Sequence, residues 1–224
     1  MRCRLAAIAL LFSAIALSAC EDDEAGQATL RVVHASPDAP NVDVIVGTLQ
    51  VLTDVPFFTA SAYVDIAAGE QNVRIEAVGT DTPLIDAALP LDDGDAATVL
   101  IVDSLASIEP MFLDDDLSAP PAGQFKVRAV HASPATGTID LYVFPAASPL
   151  PGAPSVADVE YKTASAYVTV PVGQYRLVVT LANDPGTLAV DLTLTFAEGE
   201  IRTLIARDNA AAPEGVSVEV VEDN

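Results

Sequence analysis

Positive charge is scarce in this sequence. Of its 224 residues, 10 are lysine or arginine and 32 are acidic, which gives a formal net charge of -22. A surface that binds nucleic acid needs clustered lysine and arginine to displace counterions from phosphates. DNA and RNA are therefore not expected partners.

Tryptophan is absent, and histidine and cysteine each occur only twice. A zinc site takes three or four ligands, mostly histidine and cysteine, so this chain has too few of them. Aromatic residues make up 5% of the chain, which leaves little material for a sugar-stacking platform. No cofactor is expected from this composition.

Apolar residues are plentiful by contrast. At 51% of the chain they exclude a disordered acidic protein, because a packed core can offset the entropy lost on folding. The 16 prolines, the 12 glycines and the many valines and threonines favour strands joined by turns over a helical bundle. The composition predicts an all-β protein.

The N-terminal segment has the layout of a secretory signal. Arg2 and Arg4 precede an apolar run over residues 5–17. This run is too short to cross a membrane as a helix, which takes about 20 residues. The tetrapeptide that follows, Leu17-Ser18-Ala19-Cys20, resembles the bacterial lipobox, in which the cysteine receives a diacylglycerol and cleavage occurs before it. The alternative is an ordinary signal peptide with Cys20 as an incidental thiol.

We therefore predict a signal peptide over residues 1–19, then a lipidated Cys20 and an acidic tether over residues 20–28. The other cysteine, Cys3, is removed with the signal, so no internal disulfide is expected. Cleavage also removes two arginines and no acids, which leaves 8 basic against 32 acidic residues, a charge of -24. An acidic stretch after the cysteine resembles export signals of surface lipoproteins, which favours the outer membrane or cell surface over the inner membrane.

A long internal repeat follows the tether. Its matched segments are 31–37 (RVVHASP) with 128–134 (RAVHASP), 42–46 with 139–143, and 60–64 with 164–168. Each repeat has the length of a whole domain, which indicates a tandem duplication rather than a solenoid. We predict one domain over residues 29–113, a linker rich in acids and prolines over 114–123, and a second domain over 124–224.

Within each repeat apolar and polar residues alternate with a period of two, which is typical of strands with one wet face. In the first repeat such runs lie near residues 30–35, 41–46, 61–66, 72–78, 84–91, 97–102 and 110–113. About seven short strands separated by turns favour an immunoglobulin-like β-sandwich in each domain. A barrel is the structural alternative, and the sequence does not decide the strand order.

The repeated R-x-V-H-A-S-P motif, the V-D-V or I-D-L strand after it and the later A-Y-V resemble the domain of unknown function 4397 family. The signature residues are Arg31, His34, Ser36, Pro37 and Asp43, with Arg128, His131, Ser133, Pro134 and Asp140 in the second repeat. The resemblance covers nearly all of residues 29–222, although residues 135–138 (ATGT) replace 38–41 (DAPN). It implies tandem β-sandwiches in the bacterial envelope, behind a lipoprotein signal, and it brings no catalytic residues.

The two histidines occupy equivalent positions, each two residues before a serine. One hypothesis is an envelope hydrolase that uses His34 with Ser36, or His131 with Ser133, for nucleophilic catalysis. Against it, each serine precedes a proline, and neither a G-x-S-x-G elbow nor a glycine-rich oxyanion hole is present. The favoured hypothesis is that these side chains hydrogen-bond the loop after the first strand.

Acidic turns offer a weak calcium hypothesis. Asp92, Asp93 and Asp95 supply hard oxygen donors, as do residues 114–116, but neither stretch matches the twelve-residue calcium loop. Solvated turn acids are the favoured interpretation.

The repeated arginines, Arg31 and Arg128, are predicted to pair with a strand acid such as Asp43 or Asp140. The repeated tyrosines Tyr63 and Tyr167 are expected in the core or at sheet edges.

These features together predict a non-enzymatic, membrane-anchored bacterial lipoprotein. Its two β-sandwiches are expected to act as a binding, adhesion or scaffolding module of the cell envelope, with the membrane, another envelope protein or a polysaccharide as partner. The alternatives are the envelope hydrolase and a calcium-stabilised surface module.

Overall fold

A computed structural model describes residues 26–182 and 184–224. The predicted signal peptide, Cys20 and the first part of the acidic tether lie outside the described residues. In the part of the chain that is described, none of the helical segments has the length and apolar character needed to cross a membrane.

The first half of the described chain forms eight strands. They are β1 (Gln27–His34), β2 (Val42–Val46), β3 (Leu49–Val55), β4 (Val64–Ala67), β5 (Gly69–Ala77), β6 (Pro83–Leu91), β7 (Ala96–Val102) and β8 (Glu109–Asp114). A single 3₁₀ turn, Leu105–Ser107, precedes β8.

The second half forms nine strands. They are β9 (Gln124–Ala132), β10 (Ile139–Pro145), β11 (Val156–Val159), β12 (Thr163–Ala164), β13 (Val168–Pro171), β14 (Gly173–Leu181), β15 (Asp184–Phe196), β16 (Ile201–Asp208) and β17 (Val216–Glu222). A short turn, Pro213–Gly215, connects the last two.

These strands make four sheets, two in each half. The first half has the orders β4-β1-β7-β8 and β3-β2-β5-β6, and the second half has β12-β9-β16-β17 and β11-β10-β14-β15, with β13 also paired to β9. In each half the first strand pairs in parallel with the second-to-last strand: β1 with β7, and β9 with β16. The all-β class and the two sandwiches predicted from the sequence are confirmed.

In the first sandwich the strand count is eight, one more than the seven predicted runs, because the sequence pattern does not indicate β3. Its sequence, LQVLTDV, has no clean alternation, and most of its side chains are exposed or half-buried. It follows β2 through a two-residue turn at Gly47, whose positive φ of 61° suits glycine. Because residues on both faces of β3 are largely exposed or half-buried, neither face has to be apolar and the strand carries little periodic signal.

Alternation within β1 and β9 directs side chains to two different cores. In β1, Leu30 and Val32 point into the first sandwich, where they pack against β2, β5 and β6. The next residue along, Val33, points the other way and joins a third apolar cluster that also contains Val130 and Ile205 of the second sandwich. The third cluster therefore lies between the sandwiches.

The molecule is thus a stack of four sheets. We call β4-β1-β7-β8 and β12-β9-β16-β17 the inner sheets, and the other two the outer sheets. The inner sheets are covered on both faces, which explains why β1 and β7 are buried along nearly their whole length. Each outer sheet has one face toward solvent, where the period-two alternation of the sequence is clearest.

Candidate functional site

The signature arginine of the first sandwich crosses the interface between the inner sheets. Arg31 is 1% exposed, and its Nη1 lies 2.8 Å from Oδ1 of Asp223, which directly follows β17 of the second sandwich. The same nitrogen donates to the carbonyl of Glu222 at 2.8 Å, and Nε and Nη2 donate to Oγ1 of Thr98. All three nitrogens of the guanidinium are therefore engaged inside the protein.

The second sandwich repeats this arrangement in the opposite direction. Arg128 forms an ion pair with Asp115, which directly follows β8 of the first sandwich, and its Nη1 donates to the carbonyl of Asp114 at 2.9 Å. Its Nε donates to Oγ1 of Thr203 at 2.9 Å. Each sandwich therefore supplies an arginine from its first strand and an aspartate from the end of its last strand.

Each aspartate also accepts hydrogen bonds from a tyrosine and a threonine of its own sandwich. The donors are Tyr63 at 2.6 Å and Thr98 at 2.5 Å to Asp115, and Tyr167 at 2.9 Å and Thr203 at 2.8 Å to Asp223. Burial raises the pKa of both tyrosines well above their ordinary value, so their hydroxyls stay protonated and donate. The tyrosine rings also lie beneath the guanidinium groups of Arg31 and Arg128, at 4.8 and 4.6 Å.

The predicted pairing of these arginines with Asp43 or Asp140 is therefore wrong. Both acids lie on β2 and β10 of the outer sheets, while Arg31 and Arg128 project from the inner sheets, away from their own cores. The sequence carried a usable signal for the true partners, because both last strands end in an acidic pair, at residues 114–115 and 222–223. Without the four-layer stacking, nothing in the sequence singled out those acids among 32.

The signature aspartates Asp43 and Asp140 hold the neighbouring edge strands instead. Oδ1 of Asp43 accepts the backbone N–H of Asp54 at 2.9 Å, and Oδ1 of Asp140 accepts that of Asp158 at 2.9 Å. Asp54 and Asp158 have positive φ angles of 53° and 52°, in the left-handed region that is costly for residues other than glycine. The charge-assisted bond offsets part of that cost at the same place in both sandwiches.

The two histidines are fully buried and hold the loops that follow the first strands. Nε2 of His34 donates to the carbonyl of Pro40 at 3.0 Å, and Nε2 of His131 donates to that of Gly137 at 2.8 Å. A carbonyl only accepts, so both rings carry their proton on Nε2. Each ring also meets an aromatic edge, that of Phe57 or Tyr161, at about 6 Å between centroids.

The signature serines, Ser36 and Ser133, are also fully buried. Ser133 donates from Oγ to Asp208 and lies 2.6 Å from Oγ1 of Thr136. In neither loop, within the residues that the structure describes, does a hydrogen bond join the histidine ring to the serine hydroxyl. The arrangement therefore lacks the contact by which a histidine activates a nucleophile. The prolines after the serines, Pro37 and Pro134, begin the turns that lead to β2 and β10.

Burial lowers the pKa of both histidines below the ordinary value of 6.5, an effect larger than the opposing pull of the carbonyls. The unfolded chain therefore binds protons more readily than the folded chain below that pH. We expect the histidine contribution to stability to be complete above about pH 6.5 and to fall as the pH drops toward the lowered native pKa values.

The measurement is the melting temperature between pH 7.5 and 5, for the wild type and for a His34→Gln/His131→Gln variant whose amides do not titrate. The wild type should lose more melting temperature on acidification than the variant does. Parallel curves for the two proteins would contradict this assignment. The hydrogen bond with Lys126 is the main cause that lowers the pKa of Asp116 to about 2, so protonation of Asp116 reduces stability only at a more acidic pH.

Carboxylates of the acidic turn between β6 and β7 accept backbone N–H groups of the turn itself and of β1. Oδ1 of Asp93 accepts the N–H of Gln27 at 2.8 Å, and Oδ2 of Asp95 accepts the N–H of Asp92 at 2.7 Å. Gly26 lies so close to Asp93 that a Cβ there would approach its side chain to 2.7 Å. Over residues 26–182 and 184–224, no three acidic, histidine or cysteine side chains gather to hold a metal ion. The three aspartates thus close a turn and do not converge on a calcium site.

Several solved structures resemble the chain weakly. They include the family 26 carbohydrate-binding module CBMbc of Eubacterium rectale Amy13K, bound to maltoheptaose, at 13% identity over 88% of this chain and 97% of that one, with a TM-score of 0.29. Family 41 carbohydrate-binding modules from streptococcal virulence factors match at 11% identity over 80% and 93%, also with a TM-score of 0.29. The Bacillus anthracis TIE protein matches at 11% identity over 88% of this chain and 44% of its own, at 0.26. TM-scores this low carry no argument about this protein.

No curated protein matches the sequence. A family model described as "Domain of unknown function (DUF4397)" matches residues 28–142, which span the first sandwich, β9 and the beginning of β10. The resemblance expected from the R-x-V-H-A-S-P motif is therefore confirmed over that range. The chain belongs to the DUF4397 family.

Proposed function

We propose that this protein is a non-enzymatic, lipid-anchored module of the bacterial cell envelope that displays two stacked β-sandwiches for binding, adhesion or scaffolding. The observation that carries the proposal is the use of the repeated signature. Its arginines, histidines and aspartates, and Ser133 of the second repeat, form bonds within the interface, the loops or the edge strands. Because these polar groups are already bonded within the protein, they support a structural role for the signature. The outer sheets and the loops are then the surfaces proposed for binding.

The anchoring part of the proposal comes from the sequence before residue 26. The signal layout and the lipobox-like tetrapeptide favour acylation of Cys20, and several acyl chains on one residue exceed what stable membrane attachment needs. The excess of 32 acidic over 10 basic residues then favours the aqueous phase for the sandwiches. The outer membrane or the cell surface is the favoured location.

Replacement of Cys20 tests the anchor. In a bacterial host, Cys20→Ala should abolish incorporation of labelled palmitate, leave the precursor unprocessed, and lose the mature membrane-bound form completely. Cys3→Ala is the matched control, because it changes the other cysteine of the chain within the segment that we expect to be removed. Membrane attachment and processing that persist in Cys20→Ala would refute the anchor.

A further inference from the structure

The core of the second sandwich contains an apolar cavity of about 140 Å³. It lies between the inner and outer sheets, close to the short edge strands β11 and β12. Aliphatic side chains form most of its wall, with Ala129 and Ala206 on the inner sheet facing Leu141 and Val179 on the outer sheet. His131 stands at one end, with its Nε2 already bound to the Gly137 carbonyl.

The repeat explains why space remains at this point. Ala129 and Ala206 correspond to Val32 and Ile101 of the first sandwich, which are completely buried in its core. Two positions on adjacent strands therefore lack five carbon atoms between them, and both lie next to the histidine. Leu141 and Leu177 on the facing sheet are each one methylene larger than Val44 and Val73, yet the cavity persists.

The size and chemistry of the cavity define a class of ligand. An engineered apolar cavity of about 150 Å³ stays dry and binds benzene or xenon. The cavity wall offers few polar partners that would hold water. The imidazole and the Ser165 hydroxyl are already hydrogen-bonded, and apart from Asp158 and Thr163 the other lining side chains are aliphatic. At the edge Asp158 is exposed and carries a negative charge, which disfavours an anionic guest such as a fatty acid.

We propose that the second sandwich binds a small, neutral, apolar molecule of about the size of one aromatic ring. The ligand enters between β11 and β12, where the edge strands are short and β10 and β11 shift register between Ile139 and Leu141. It fills the space left by Ala129 and Ala206. The first sandwich, in which valine and isoleucine occupy those positions, does not bind it there.

Benzene is the probe for the test. The protein used is the whole chain after removal of the predicted signal peptide. Binding to the folded state raises the melting temperature by an amount that grows with the logarithm of the ligand concentration above the dissociation constant, and it shifts methyl resonances of the residues that line the cavity. We expect both effects in the wild type. We expect both to vanish in Ala206→Ile and in the milder Ala129→Val, which restore the side chains of the first sandwich. These two variants should also melt at a higher temperature than the wild type.

Val32→Ala is the matched control, because it removes two methyl groups from the equivalent place in the first sandwich and leaves the second cavity intact. It should melt at a lower temperature than the wild type and keep the benzene-induced methyl shifts around Ala206. The proposal is overturned if benzene produces no methyl shifts in the wild type. It is also overturned if Ala206→Ile and Ala129→Val respond to benzene as the wild type does.

Discussion

Arg31→Met is expected to lower the free energy of unfolding by about 3–5 kcal/mol, because it leaves the carboxylate of Asp223 buried without its cation. Both side chains are essentially inaccessible, at 1% and 0% exposure, so water cannot replace the lost partner. The carbonyl of Glu222 also loses its donor. The quantity to measure is the midpoint and slope of urea denaturation at pH 7.

Two further variants show whether the loss comes from the unpaired charge. Arg176→Met removes an arginine from the exposed pair with Asp191 on the second outer sheet and should change stability little. The double variant Arg31→Met/Asp223→Leu should recover much of the loss, because neither charge then remains buried. A destabilisation by Arg31→Met no larger than that by Arg176→Met would contradict this view of the interface.

Separation of the sandwiches is the second large effect that we expect. A fragment of residues 26–118 exposes the interface side of its inner sheet, with Val33, Leu100 and Val102 in water and Arg31 without Asp223. The fragment of residues 119–224 has the corresponding deficit at Arg128. Neither should persist as a stable monomer, and when mixed they should form a one-to-one complex, because each carries the carboxylate that the other lacks.

The reciprocal pairing adds a specific outcome for the first fragment alone. Because Arg31 and Arg128 occupy equivalent positions, two copies of the 26–118 fragment can pair each Arg31 with Asp115 of the other copy, as in a twofold interface. Light scattering after gel filtration should therefore find a dimer for this fragment, and Leu100→Asp in its apolar contact should weaken it. If both fragments are stable monomers and do not bind each other in a mixture, the interface is not needed for the stability of either sandwich.

The sequence predicted the fold class well because the relevant signal is local. Alternation over residues 72–78 and turns rich in proline and glycine are enough to indicate short strands in two sandwiches. The sequence favours loop bonding for the repeated histidines because each serine precedes a proline in a turn and neither a G-x-S-x-G elbow nor a glycine-rich oxyanion hole is present. Hydrogen bonds to the Pro40 and Gly137 carbonyls agree with that interpretation.

The interface could not be predicted, for a physical reason. In an isolated sandwich, Val33 and Leu100 would lie on the face of their strands that is turned to solvent, although both are apolar. Only the stacking of a second sandwich explains why they are buried. The cavity is a matter of volume rather than pattern. The repeat shows that Ala129 and Ala206 are smaller than their counterparts, but whether a cavity remains depends on how the facing residues pack, and only the structure places them.

The position of β1 has a mechanical consequence. This first strand lies between β4 and β7, and its six register pairs with β7 run parallel, from Thr29 with Ala96 to His34 with Ile101. A pulling force that enters at Gln27 acts along the strand axis, so the hydrogen bonds on both sides share the load in shear and do not break one after another. We therefore expect tension applied along β1 at the N-terminal end to meet the combined resistance of these hydrogen bonds.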